Sequence, residues 1–288
     1  MSQGLRNSPG DSVQERSLDY DTFAALVDRQ VSAGVHFLVP LGTTGETPCL
    51  SDDEKVRLLE IAKEHSGGLP VMAGVGTNSP VATIANMKLL EGHGVDAFLV
   101  VVPYYNKPTQ NGQYLYFREI ASATAKPVVI YNVPGRTGVN MAAETSLALA
   151  RDVDNIVAIK EASARLDQIS QIIKERPEGF SVLSGNDDET LSLMATGADG
   201  VISVASNVDP VRMVALVEAL EKDDMKTARE LHYKLMPLFK NCFIESNPIP
   251  AKAALAQLGL MENSLRLPLF PATEATEAIM KETLAELF

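Results

Sequence analysis

The chain has 288 residues, 45% hydrophobic and 22% charged, with a formal net charge of −12. The composition is that of a globular protein, and the acidic balance argues against nucleic acid or an anionic membrane surface as a partner. Two cysteines give no disulfide framework, and four scattered histidines show no zinc-ligand spacing, so neither a metal nor a covalent staple is expected.

Residues 1–17, MSQGLRNSPGDSVQERS, are polar and contain few aliphatic side chains. They have neither the apolar core of a signal peptide nor the acid-poor composition of a transit peptide. No apolar run reaches membrane-span length. A cytoplasmic protein is the expectation. A helix is predicted over 20–33, and then short apolar runs recur: VHFLVPL (35–41), LPVMAGV (69–75), DAFLVVV (96–102), PVVIYNV (127–133), NIVAIK (155–160), FSVLSG (180–185) and GVISVA (200–205). They are rich in Val and Ile and nearly continuous in apolar character, as parallel strands covered on both faces are.

The intervening segments carry the 3.6-residue apolar period of helices. SDDEKVRLLEIAKEH opens with Ser51 and Glu54, a capping box. QYLYFREIASATA, AAETSLALARDV and RLDQISQIIKE follow the same period. Strand and helix thus alternate every 25 to 35 residues or so, the βαβ rhythm. Seven such units favour a closed (β/α)8 TIM barrel over an open doubly wound sheet. No GxGxxG follows a strand, which weakens a dinucleotide site. After residue 207 the strands stop, and 210–222, 224–245, 248–259 and 272–287 read as helix. The expected organisation is an atypical segment over 1–17, a barrel over 18–222 and a helical C-terminal domain over 223–288. Residues 1–17 do not read as a buried strand, so the first strand is atypical or missing.

In such a barrel, reacting groups sit at the C-terminal ends of the strands. Lys160 ends the run NIVAIK. Burial among apolar side chains disfavours a charged amine, and a neutral amine condenses with a ketone to a Schiff base. Alone, a strand-end lysine is more often a solvated surface residue. Tyr131 ends the preceding strand, 29 residues earlier, where a phenol can shuttle protons beside an amine. The GTTGE turn at 42–46 offers backbone N–H groups and the hydroxyls of Thr43 and Thr44, suited to a small carboxylate. It is not a P-loop, since no Gly-Lys-Ser/Thr follows. Arg136, in the loop after Tyr131, can clamp a second carboxylate. Together these describe a site for a small 2-oxo acid and a second carboxylated molecule.

In this order, GTTGE, VPYYNKP, YNVPGRTG and IKEAS closely resemble the dihydrodipicolinate synthase family, within the N-acetylneuraminate lyase superfamily of Schiff-base aldolases. The resemblance runs from Leu18 to the C-terminus and includes SGNDD (184–188), GVISV (200–204) and PLFKNCFIESNPIPAK (237–252). It implies condensation of pyruvate with L-aspartate 4-semialdehyde to 4-hydroxy-tetrahydrodipicolinate, in lysine and diaminopimelate biosynthesis. It implies Lys160 as the Schiff-base residue and Tyr131 as its acid–base partner. Thr44 would link Tyr131 to Tyr105, the latter supplied by a neighbouring subunit. Thr43 and Thr44 would bind the pyruvate carboxylate, and Arg136 the carboxylate of the semialdehyde. Gly185 and Ile202 would complete the substrate site, Ile202 through its carbonyl. The resemblance further implies a homotetramer, a dimer of dimers, with no metal or organic cofactor. Another pyruvate-dependent aldolase of the superfamily, or a catalytically impaired homologue, stays open.

Two features depart from the family pattern. Its usual first strand, G-x-x-x-A-x-x-T-P-F, is replaced by residues 1–17. Where feedback-inhibited members bind lysine, this chain carries Asp52, Lys55 and Ala82 while keeping Asn78 and Tyr104. A cationic Lys55 would repel a lysine effector, so weak or absent lysine inhibition is expected.

Overall fold

The structure, a computed structural model, describes residues 4–5 and 17–288. The chain divides into two compact units: the described residues up to Val71 together with Val204–Phe288, and Met72–Ser203.

The first unit begins with β1 (Gly4–Leu5), paired antiparallel with β2 (Leu18–Asp19). This short pair stands where a parallel first strand was missing from the sequence pattern. The rest of the predicted atypical segment over 1–17 lies outside the described residues, apart from residue 17. Helix α1 (Tyr20–Ser32) is capped by Asp19, whose carboxylate accepts from the Thr22 N–H. Arg29 donates to the carbonyls of Asn207 and Val208, and Gln30 to that of Ser206. These bonds fasten α1 to the turn before the C-terminal helices. Helix α2 (Asp52–Glu64) has the expected capping box, with Ser51 and Glu54 satisfying each other's backbone N–H.

The run 35–41 is less regular than its composition predicts. Among the described residues its strand pairing reduces to one parallel bridge, Leu38 to Val71. Pro40 has no N–H to give a ladder, and Leu41 adopts a left-handed backbone, φ 58°, which ends extended structure.

The second unit is a six-stranded, all-parallel sheet in sequential order: β3 (Met72–Gly74), β4 (Ala97–Val101), β5 (Val128–Asn132), β6 (Ile156–Glu161), β7 (Ser181–Ser184) and β8 (Gly200–Val201). Six of the seven predicted strands are therefore present as such. Helices alternate with them: α3 (Pro80–Leu90), α4 (Gln110–Ser122), the single turn α5 (Pro134–Thr137), α6 (Ala143–Asp152), α7 (Leu166–Glu175) and α8 (Thr190–Ala195). Every residue of β5 is buried, as both-face coverage of a parallel strand requires. Phe98, Val100, Val128, Ile130, Ile159 and Val182 are wholly buried along the sheet.

The first unit closes with α9 (Pro210–Glu221), α10 (Met225–Asn241), α11 (Ile249–Gln257) and α12 (Glu274–Leu287). These match the four predicted C-terminal helices to within a few residues at each end. No helix of the described residues is long and apolar enough to cross a membrane.

Candidate active site

The ends of β5 and β6 carry the two residues singled out by the sequence. Tyr131 and Lys160 are direct register partners in the parallel ladder, so both side chains leave the same face of the sheet. Lys160 Nζ lies 4.2 Å from the centroid of the Tyr131 ring. Each residue is only 8% exposed. An amine held over a phenol ring and largely withdrawn from water gains cation–π stabilisation when charged.

The pairing depends on an irregularity. Val128 pairs with Ile156, but Val129 pairs with Ala158, so Val157 is an extra residue in β6. Bulges are uncommon between parallel strands and recur beside functional sites.

Gly185, just past β7, completes this wall. Its N–H donates to the Glu161 carbonyl at 2.7 Å. A Cβ placed there would lie 2.7 Å from Ala162 Cβ and 3.1 Å from Lys160 Cε. Glycine is therefore the residue that leaves the lysine stem its path. Ile202, following β8, is 8% exposed and donates its N–H to the Ser184 carbonyl at 2.9 Å.

Arg136 is exposed on the turn α5, whose end is left-handed at Gly138. The loop carrying Tyr105 is tied to the same turn, because the Tyr105 N–H donates to the Thr137 carbonyl at 3.3 Å. Tyr105 has a left-handed backbone, φ 72°, and its side chain is 86% exposed.

Thr43 and Thr44 belong to the first unit. They form a 3₁₀ turn, Thr43–Gly45, followed by Glu46 at φ 51°. Thr43 is exposed, while Thr44 is buried and its hydroxyl accepts from Asn247 Nδ2 at 2.9 Å. The turn is anchored by a fully buried ion pair between Glu46 and Lys252. The other Glu46 oxygen accepts from the Arg266 N–H at 2.9 Å, and Lys252 also donates to the Ser264 carbonyl at 2.8 Å. Sequence reasoning missed Glu46, Asn247 and Lys252 as supports of this turn. Their partners lie more than 200 residues away, and no local pattern marks them.

Sequence reasoning also passed over Glu161, which follows Lys160 and is wholly buried. Burial is the largest influence on its carboxyl and raises it above the usual carboxylate range, against the pull of hydrogen bonds from Ser163, Asn132 and Gln168. Among the described residues, no cluster of three or more His, Cys, Asp or Glu is placed to hold a metal ion.

A buried lysine over a tyrosine at neighbouring strand ends of a parallel α/β sheet is the equipment of a Schiff-base-forming lyase. The chain belongs to the Dihydrodipicolinate synthetase family, whose model matches residues 12–287. It is 46% identical over 274 residues to the 4-hydroxy-tetrahydrodipicolinate synthase of Chlorobium chlorochromatii, covering 95% of this chain and 93% of that protein. It is 47% identical over 273 residues to the enzyme of the same name from Thermotoga neapolitana, covering 93% of each. The crystal structure of dihydrodipicolinate synthase from Thermotoga maritima matches with a TM-score of 0.95 at 43% identity, over 100% of this chain and 96% of that one. The fold class is accordingly the α/β TIM barrel with a helical C-terminal extension and an atypical N-terminal strand.

Proposed function

We propose that this chain condenses pyruvate with L-aspartate 4-semialdehyde through a Schiff base on Lys160, giving 4-hydroxy-tetrahydrodipicolinate. The observation that carries the reading is the Lys160 amine, buried and 4.2 Å from the centroid of the Tyr131 ring. The neutral amine attacks C2 of pyruvate, and the carbinolamine loses water to give an iminium ion. Loss of a methyl proton yields an enamine whose carbon attacks the aldehyde of the second substrate. The amino group of that substrate then adds to the iminium carbon, closes the ring and releases Lys160. Tyr131 moves the protons in these steps, since a phenol can donate and accept within reach of the same atoms.

The remaining roles follow the family resemblance. Thr43 and Thr44 receive the pyruvate carboxylate, and Thr44 connects Tyr131 with Tyr105 from a neighbouring subunit. The high exposure of Tyr105 in one chain suits a side chain used across an interface. Arg136 meets the carboxylate of the semialdehyde, a bidentate task to which guanidinium is suited. Gly185 leaves room for the lysine stem, and Ile202 offers its carbonyl. The reading includes a dimer of dimers in the cytoplasm and needs no metal or organic cofactor.

The test is to incubate the protein with pyruvate, reduce with borohydride and locate the adduct by mass spectrometry. The expected result is a single reduced pyruvyl adduct on Lys160. A folded protein that stays unmodified there overturns the reading. Turnover with a panel of aldehydes then identifies the partner, with aspartate semialdehyde expected to be the best.

A further inference from the structure

One rung beyond Tyr131 and Lys160, Asn132 pairs with Glu161 in the same ladder. Alternation along the strands turns this second rung to the opposite face of the sheet. Both residues are wholly buried, and the proposed reaction uses neither.

The Glu161 carboxylate is engaged from three directions. Asn132 Nδ2 donates to Oε1 at 2.5 Å and Gln168 Nε2 donates to the same oxygen at 3.4 Å. Ser163 Oγ donates to Oε2. Asn132 is held in turn, its Oδ1 accepting from the Met141 N–H at 3.0 Å. Its Nδ2 also reaches Asn140 Oδ1 at 3.0 Å. Asn140 Nδ2 donates to Gln168 Oε1 at 2.8 Å, and Gln168 Nε2 donates to the Met141 carbonyl at 3.1 Å. The ring of bonds therefore joins the ends of β5 and β6, the loop before α6 and the first turn of α7. A buried carboxylate is costly, and here its acceptors are spent on groups that flank the Schiff-base pair.

We propose that Glu161 is a positioning residue: by clamping Asn132 behind the sheet it fixes the last rung of β5 and β6, and so fixes Lys160 Nζ over the Tyr131 ring in front. The inference rests on the Schiff-base reading of Lys160. The clamp acts through hydrogen-bond geometry. A glutamine at 161 can accept from Asn132 and Gln168 with its carbonyl oxygen and donate to Ser163 with its amide. An alanine can do neither and takes from Asn132 Nδ2 the acceptor that ties it to β6, leaving it only its contacts to the loop before α6.

The experiment compares the parent protein with Glu161→Gln, Glu161→Ala and Gln168→Ala, at matched folded fraction by circular dichroism. It reads the rate at which pyruvate and borohydride modify Lys160. Glu161→Gln is expected within about 3-fold of the parent and Glu161→Ala about 10- to 100-fold slower, with Gln168→Ala between them, the range a small misplacement of a reacting group produces. A role in stability alone would lower the melting temperature of Glu161→Ala and leave the labelling rate of its folded fraction unchanged, which overturns the proposal. Glu161→Gln as slow as Glu161→Ala also overturns it, because charge and not geometry would then be acting. If Glu161→Ala fails to fold, Gln168→Ala labelling at the parent's rate overturns it. A parent protein that never labels at Lys160 brings down the Schiff-base reading itself, whereas a labelled parent with equally labelled variants brings down only the clamp.

Discussion

Tyr131 stands opposite Lys160 because β6 holds one residue more than β5 just upstream, at Val157. In an unbroken ladder continuing from Val128 and Ile156, Ile159 would face Tyr131. Lys160 would then leave the other face of the sheet, since a one-residue slip turns every side chain over. The bulge is thus part of the site, although it lies three residues from the nearer of the two.

Replacing Tyr131 by Phe keeps the ring under the amine and removes only the hydroxyl. The buried packing should survive, and the melting temperature should change little. Turnover is expected to fall by about 10²- to 10⁴-fold, the contribution of a positioned acid–base group. A steady-state assay beside a thermal melt checks this, and turnover within a few-fold of the parent would remove Tyr131 from the chemistry.

Gly185→Ala introduces a Cβ 3.1 Å from Lys160 Cε and 2.7 Å from Ala162 Cβ. The lysine stem can bend aside, but its amine then leaves the Tyr131 ring. Labelling by pyruvate and borohydride should slow by about 100-fold with the fold retained, as read by adduct formation against circular dichroism.

Breaking the Glu46–Lys252 pair leaves a buried charge without its partner. Lys252→Met is expected to lower stability by about 3–5 kcal/mol. Denaturant unfolding of the single variant and of the double variant Glu46→Leu/Lys252→Met measures it. The double variant should recover much of the loss, because both buried charges are then gone.

Glu54 supplies a pH dependence with a defined sign. Burial, its largest influence, pushes its carboxyl up, but hydrogen bonds from Arg266 and Ser51 outweigh burial and hold it below the ordinary glutamate value. Arg266 Nη1 and Nη2 donate to the two oxygens at 2.7 and 2.6 Å. A folded-state value below the unfolded one means that the unfolded chain binds the proton more readily. The stability Glu54 gives is therefore present above the ordinary glutamate value and disappears as pH falls through its depressed folded value. The gap in melting temperature between the parent and Glu54→Gln should be full at neutral pH and close on acidification.

Lysine should inhibit weakly or not at all. Lys55 places a cation where lysine-sensitive relatives are expected to bind a cationic effector, and it is already paired with Asp52 at 2.9 Å. Titration of L-lysine into the assay should leave turnover unchanged, while Lys55→His with Asp52→Ala tests whether sensitivity can be introduced.

Much of this protein is legible in its sequence. Six strands follow from apolar runs, and α4, α6 and α7 between them from a 3.6-residue period, while Lys160 and Tyr131 stand out once only strand ends are considered; α3 carries no such period and is not marked by it. The run 35–41 has the composition of a full strand, but Pro40 and the left-handed Leu41 limit its pairing. Glu161 carries no local signal of burial, because an acidic residue after a strand-end lysine has the composition of a loop, yet it is still inside the ladder.

What the sequence determined by itself is therefore the alternation of elements and the placing of Lys160 and Tyr131 at neighbouring strand ends, both set by local preference and side-chain period. What only the tertiary structure decided is register and partnership: the bulge at Val157, the ring of bonds behind Glu161, and the joining of Glu46 to Lys252 and of Thr44 to Asn247. These depend on backbone ladders and buried polar pairs between distant segments. Each forms only when the rest of the fold removes water from it, and nothing in a short stretch of sequence records that event.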